Sequence, residues 1–183
     1  MKKLLFIINP KAGVKKNKHF VDDALEIFEK AGYKVGVKYT KKRAEKRLEI
    51  PALLAQYSDK FPLVVCCGGD GTLNEVIQGL IEGNVKTPLG YIPAGSTNDF
   101  ANSLGLRTNP KDQAEFIMET EAKSLDLGWF NGRYFVYTAS AGIFTETSYS
   151  TPQELKNRLG HFAYVLHGIR EVFKIRRLKL RIE

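Results

Sequence analysis

Hydrophobic and polar positions along the 183-residue chain switch between two periods. Residues 3–8 are a short continuous apolar run stopped by Asn9-Pro10, the pattern of a strand buried on both faces. A polar, glycine-containing loop covers 11–18. Phe20, Ala24, Leu25, Ile27, Phe28 and Ala31 then share one helical face, and Gly32 supplies the C-terminal cap. Val35, Val37 and Tyr39 alternate with polar residues and predict a second strand ending at Thr40. The charged stretch 41–49 leads to Pro51, which opens a helix to about Tyr57. Residues 62–67 read as a third strand, 72–82 as a helix and 89–92 as a fourth strand. Two more helices are predicted, from about Asn98 to Leu104 and from Lys111 to Glu121.

Short strands alternating with helices imply right-handed βαβ crossovers. The fold class predicted is therefore α/β, a doubly wound and mainly parallel sheet over residues 1–125. Beyond that the period changes. Residues 124–130 and 133–139, separated by Asn131-Gly132, read as a hairpin with an Asn-Gly turn and begin a β-rich second module over 126–183. Residues 152–173 repeat Leu155, Leu159, Phe162, Leu166, Ile169 and Phe173 at threes and fours, and 175–182 is strand-like. One hairpin, one helix and one terminal strand make a poor independent β layer, because unpaired edges aggregate. The second module is accordingly expected to be incomplete, the chain being a fragment or truncated product.

Composition narrows the setting. With 43% hydrophobic residues and 26% charged, the chain is neither disordered nor fibrous. Its apolar runs fall far short of the ~18 residues of a membrane span, and the first leads into Asn9-Pro10 rather than a cleavage site. Cys66 and Cys67 are adjacent and cannot close a useful loop, so they read as small buried hydrophobes in a reducing compartment. A cytoplasmic address is expected. The net charge of +8 divides unevenly, at +8 over residues 1–60, −5 over 61–151 and +5 over 152–183. Basic flanks suit a polyanionic partner such as an anionic membrane surface, and an acidic middle suits cation-dependent chemistry. No recognised nucleic-acid motif accompanies the flanks, so no nucleic-acid partner is expected.

In open α/β sheets, ligands bind in the crevice beyond the C-terminal ends of the strands. Three turns fall there: Asn9-Pro10-Lys11-Ala12-Gly13, Gly68-Gly69-Asp70-Gly71-Thr72 and Pro93-Ala94-Gly95-Ser96-Thr97-Asn98-Asp99. Gly68, Gly69 and Gly71 let the backbone approach a ligand, and the helix that follows directs its N–H groups at an anion, preferably phosphate. Thr72 and Glu75 have capping-box spacing, so helix capping competes with ligand binding as their role. A carboxylate at Asp70 would repel phosphate unless a divalent cation bridged them, which points to Mg²⁺ coordination or proton abstraction. The P-loop signature is absent, and the dinucleotide fingerprint lacks its third glycine at Asn74.

These three motifs, in this order and spacing, resemble the diacylglycerol kinase catalytic-domain family, whose members include bacterial lipid kinases and the sphingosine and ceramide kinases. The likeness extends to about residue 173 through Leu125-Asp126-Leu127-Gly128 and the block 159–164. Gly68 to Thr72 alone is shared with NAD kinases and phosphofructokinases; its combination with Pro93 to Ala101 is the specific signal. The resemblance implies ATP-dependent phosphoryl transfer to a lipid hydroxyl. By matching position, Asn9, Pro10, Lys11, Ala12, Gly13, Thr40, Gly68, Gly69, Asp70, Gly71, Thr72, Leu73, Asn74 and Thr97 would hold ATP. Asp70 would lie in the phosphate and magnesium region, with Asp99 and Asp126 beside the acceptor hydroxyl as catalytic carboxylates. The family's catalytic base and structural Mg²⁺ site fall at positions that residues 174–183 do not match, which implies nucleotide binding with little turnover.

Two other readings stand beside the lipid kinase: an NAD kinase-like enzyme with a soluble substrate, and a nucleotide-binding module without catalysis. His19, His161 and His167 lack metal-ligand spacing and read as structural. The aromatics Trp129, Phe130, Tyr134, Phe135 and Tyr137 read as a sheet face, and the basic tail from Lys174 to Arg181 as a strand with a solvated face. A homodimer is the default for a soluble oligomer. The enzyme's expected place is peripheral, at a membrane surface bearing its lipid.

Overall fold

A computed structural model describes residues 2–12, 19–40, 50, 53–54, 56 and 60–138. The readings placed on Gly13, on 41–49, on most of 51–57, on His161 and His167, and on the helix and strand of 152–182 lie outside the described residues. The chain through Tyr137 forms one compact unit.

Four strands, β1 (Lys2–Ile8), β2 (Tyr33–Tyr39), β3 (Leu63–Gly68) and β4 (Leu89–Pro93), pair in parallel in the order β2-β1-β3-β4. The helices are α1 (Phe20–Lys30), α2 (Asp70–Glu82), α3 (Asp99–Ser103) and α4 (Pro110–Glu119). Both faces of the sheet are covered, as the continuous apolar run of β1 demands: Leu4 to Ile8 are all buried. Leu4, Phe6, Ile8, Val65, Cys67 and Ile92 face one layer with Phe20, Ala24 and Phe28 of α1 and Ala114 of α4. Leu5, Ile7, Val64, Cys66 and Tyr91 face the other, with Leu73, Val76, Ile77 and Leu80 of α2, and with Ile50 and Leu54. The doubly wound α/β reading holds. Phe6 and Phe28 meet edge to face at 5.4 Å. The two cysteines point to opposite layers, and burial pushes the Cys67 thiol up to about 12, which makes it a packing group and no nucleophile.

α1 ends as read, with Gly32 at φ +85° and its N–H donating to the Glu29 carbonyl. α2 begins two residues earlier than its pattern suggested. After α4 the chain is exposed and forms neither helix nor strand through Leu127. A small antiparallel hairpin follows, β5 (Gly128–Phe130) and β6 (Arg133–Phe135), turning on Asn131 (φ +48°) and Gly132 (φ +77°). The Asn-Gly turn falls where expected, but the strands are three residues each, because only that span has a partner across the turn.

Candidate functional site

All four parallel strands deliver their C-terminal ends to one edge of the sheet, and hydrogen bonds tie neighbouring ends together. The Thr40 N–H donates to the Ile8 carbonyl at 2.8 Å, the Asn9 N–H to the Cys67 carbonyl at 2.9 Å and the Ala94 N–H to the Gly68 carbonyl at 2.8 Å. Side chains then link the turns. Asn9 donates from Nδ2 to Thr72 Oγ1 at 2.9 Å, across 63 residues of sequence, while its Oδ1 accepts the Lys11 N–H at 3.1 Å. Pro10 and Lys11 are exposed; Ala12 and Thr40 are buried.

The second and third turns touch backbone to backbone. A methyl group built on Gly95 would lie 2.6 Å from Gly69 Cα and 2.7 Å from Asn98 Oδ1, so no side chain fits there. Asn98 sits in the left-handed region, φ +52° and ψ +48°, a conformation that Asn tolerates. Its side chain accepts the Gly95 N–H at 2.7 Å and donates to the Gly95 carbonyl at 3.2 Å, closing the turn. Thr97 is held through its carbonyl, which accepts from Asn102 Nδ2 at 2.8 Å.

Asp70 joins these two turns by a route the sequence did not reveal. Its Oδ2 accepts the Asp99 N–H at 3.1 Å and its Oδ1 the Phe100 N–H at 3.2 Å, so the carboxylate caps the first turn of α3. Each oxygen retains a further lone pair. The capping box expected of Thr72 and Glu75 does not form. α2 starts at Asp70 with Gly69 as N-cap, in extended conformation and without a side-chain cap bond, which moves Thr72 into the third helical position. There its buried hydroxyl receives Asn9 instead. The first N–H groups of α2, at Asp70 and Gly71, lack helical acceptors in the preceding turn, and the space a Cβ would take at Gly71 is open.

The structure thus brings Asn9, Pro10, Lys11, Ala12, Thr40, Gly68, Gly69, Asp70, Gly71, Thr72 and Asp99 to one edge; Thr97 stands in the turn that carries Asp99. Leu73 is 1% exposed and belongs to the core as a side chain. Asn74 Oδ1 and Thr40 Oγ1 are buried without a hydrogen-bond partner among the described residues. Asp126 is exposed on the segment before β5, and among the described residues no hydrogen bond joins it to Asp70 or Asp99. Asn98 and Tyr91, whose hydroxyl donates to the Gly68 carbonyl at 3.1 Å, carry structure that the sequence reading passed over. The left-handed preference of Asn in a Gly-rich turn was the available signal for Asn98.

A doubly wound parallel domain whose glycine turns converge at the C-terminal strand ends is of the class that binds ligands at that edge. Within that class the sequence relationship is specific: the diacylglycerol kinase catalytic domain matches residues 3–130, and the chain belongs to that family. It is 35% identical over 182 residues to diacylglycerol kinases of Staphylococcus aureus strains bovine RF122 / ET3-1 and MRSA252, matching 100% of this chain and 57% of theirs. The chain therefore spans little more than half the length of these curated relatives. A crystal structure of a diacylglycerol kinase from Bacillus anthracis strain Sterne superposes with a TM-score of 0.64 at 28% identity, over 73% of this chain and 49% of that one.

Proposed function

We propose that this chain is the nucleotide-binding part of an ATP-dependent lipid kinase, which transfers the γ-phosphoryl group to the hydroxyl of diacylglycerol or a similar lipid. The observation that carries the reading is the stitched edge, where a helix N-terminus without a side-chain cap, buried hydroxyls and the Asp70 carboxylate come together at the C-terminal ends of the strands. A triphosphate with its cation fits that donor set. The N–H groups of Asp70 and Gly71 and the helix dipole suit phosphate oxygens. The buried Thr40 hydroxyl, lacking a partner among the described residues, suits another ligand oxygen. Carboxylate oxygens suit Mg²⁺, which keeps several waters and takes phosphate oxygens, so a cage of protein ligands is not needed.

In this reading Asn9 to Gly13, Thr40, Gly68 to Asn74 and Thr97 hold ATP, and Asp70 holds the cation side of the phosphates. MgATP supplies the phosphoryl group and neutralises its charge. The chain's own residues position the phosphates and present fixed N–H dipoles, the contributions on which phosphoryl transfer mainly depends. Asp99 and Asp126 stand on the acceptor side. Contact with the lipid is peripheral; among the described residues no helix is long and apolar enough to cross a membrane.

Calorimetric titration of the chain with MgATP, followed by labelled phosphate transfer to lipid vesicles, tests this. Saturable MgATP binding with little or no transfer is expected, given coverage of 57% of the relatives. Asp70→Asn, which removes one acceptor from the α3 cap and the charge from the cation site, should weaken binding at least about tenfold, equivalent to ~1.4 kcal/mol. Absence of MgATP binding sinks the nucleotide reading, and transfer to NAD but not to lipid sinks the lipid one.

A further inference from the structure

Beneath the Gly68–Thr72 turn lies a buried polar pair to which nucleotide binding assigns no role, Tyr91 of β4 and Gln113 of α4. Tyr91 is 5% exposed and Gln113 2%. A hydroxyl and an amide at such depth cost free energy unless they are bonded, and an apolar residue would fill either place at no such cost. Both are hydrogen-bonded. The Tyr91 hydroxyl donates to the Gly68 carbonyl at 3.1 Å, which also accepts the Ala94 N–H at 2.8 Å. Gln113 donates from Nε2 to the Tyr91 carbonyl at 3.0 Å and accepts the Arg107 N–H at its Oε1 at 3.1 Å.

Two donors on one carbonyl fix the plane of the Gly68–Gly69 peptide. That peptide is trans, so the N–H of Gly69 points opposite to the carbonyl of Gly68. The carbonyl faces β4, and β3 lies between β4 and β1. The Gly69 N–H is thereby turned to the β1 side, where the Asn9 turn stands. Two successive glycines cannot hold that plane by themselves, since their backbone is the least restricted of any residue. Tyr91 also reaches the other turn: its ring meets that of Phe100 at 6.3 Å between centroids, and the Phe100 N–H is one of the two bonded by Asp70.

We infer that Tyr91 is a positioning residue, whose main chain is held by Gln113 and whose hydroxyl sets the Gly68–Gly69 peptide so that the Gly69 N–H faces a phosphate group bound between the first two turns. The inference rests on the nucleotide reading above. Burial first, and then the Asp70 carboxylate, raise the pKa of Tyr91, so its hydroxyl stays a donor at neutral and alkaline pH.

Tyr91→Phe in the 183-residue chain removes the hydroxyl and little else; Phe28→Leu, in the opposite core layer, serves as a purely structural comparison. Isotope-labelled spectra without nucleotide should show the Gly68 carbonyl and Gly69 amide resonances displaced in Tyr91→Phe while those of β2 hold. MgATP affinity should fall about fivefold, the equivalent of the ~1 kcal/mol of one net hydrogen bond, and Phe28→Leu should lower the melting temperature without changing that affinity. Unmoved Gly68 and Gly69 resonances, or equal losses of affinity in the two variants, overturn the inference. Displaced resonances in Tyr91→Phe, with no MgATP binding even by the unaltered chain, overturn the nucleotide reading and with it any phosphate-facing role for Tyr91.

Discussion

The C-terminal edge of the sheet and the β5–β6 hairpin are both built from short turns, yet they are held in opposite ways. At the sheet edge each turn is fixed by partners distant in sequence: Asn9 by Thr72, Gly69 by Gly95, and Asp70 by the N–H groups of Asp99 and Phe100. The hairpin is fixed mainly by its own Asn-Gly turn and by the Trp129–Tyr134 ring contact at 4.6 Å, with the Tyr134 N–H donating to Gln78 Oε1 of α2 at 3.0 Å. The difference is one of preorganisation. Groups locked before a ligand arrives lose little conformational freedom when it binds, which is where positioning catalysis gains most.

The contrast breaks most visibly in the core. Phe28 is fully buried beneath β1, and Phe28→Ala should cost about 3–5 kcal/mol, read from chemical denaturation. If the turns depend on the sheet, MgATP binding and secondary structure should then be lost in a single transition. Gly95→Ala comes next. Its methyl group would meet backbone at 2.6 Å, so the two turns must part, at about 1–3 kcal/mol. Binding of MgATP should drop well beyond what a comparable loss of stability elsewhere produces. Affinity preserved in Gly95→Ala would show that the turn contact does not organise the site.

Most of this architecture was legible in the chain. Continuous apolar runs marked the buried strands, and their spacing with helices marked the parallel topology. Glycine turns at strand ends marked the edge where they meet. What stayed hidden was the pairing between turns. The glycines around Asp70 gave no sign of its second role, because its backbone partners at Asp99 and Phe100 are 29 and 30 residues away. Thr72 looked like a helix cap because Ser or Thr followed by Glu is the usual local signal, whereas here a bare Gly69 takes that place. Tyr91 passed as a strand filler, since periodicity registers the ring and is blind to the hydroxyl. Local patterns thus predicted elements, and long-range hydrogen bonds decided roles.

A smaller effect sharpens the same contrast. Asn9→Ala removes the bond to Thr72 Oγ1 and the one accepted from Lys11, leaving the buried threonine hydroxyl without that donor. The expected cost is about 1–2 kcal/mol in thermal unfolding, with weaker MgATP binding. A loss of stability with unchanged affinity would separate the first turn from the site.

The smallest effect belongs to the hairpin and is the most exposed to refutation. Trp129 is the only tryptophan of the chain, so its fluorescence reports on this region alone. Its side chain is 60% exposed, and its main neighbour is Tyr134, at the edge-to-face distance of 4.6 Å. Such a pair contributes about 0.5–1.5 kcal/mol when buried and less when water reaches both rings. Trp129→Ala should therefore change stability by no more than about 0.5 kcal/mol, as surface substitutions do, and leave MgATP affinity untouched. In the unaltered chain the emission should be that of a hydrated indole, readily quenched by acrylamide. A blue-shifted, protected emission, or a cost near that of Asn9→Ala, would mean that the hairpin is packed as firmly as the sheet edge, and the distinction between a preorganised edge and a locally held hairpin would fall.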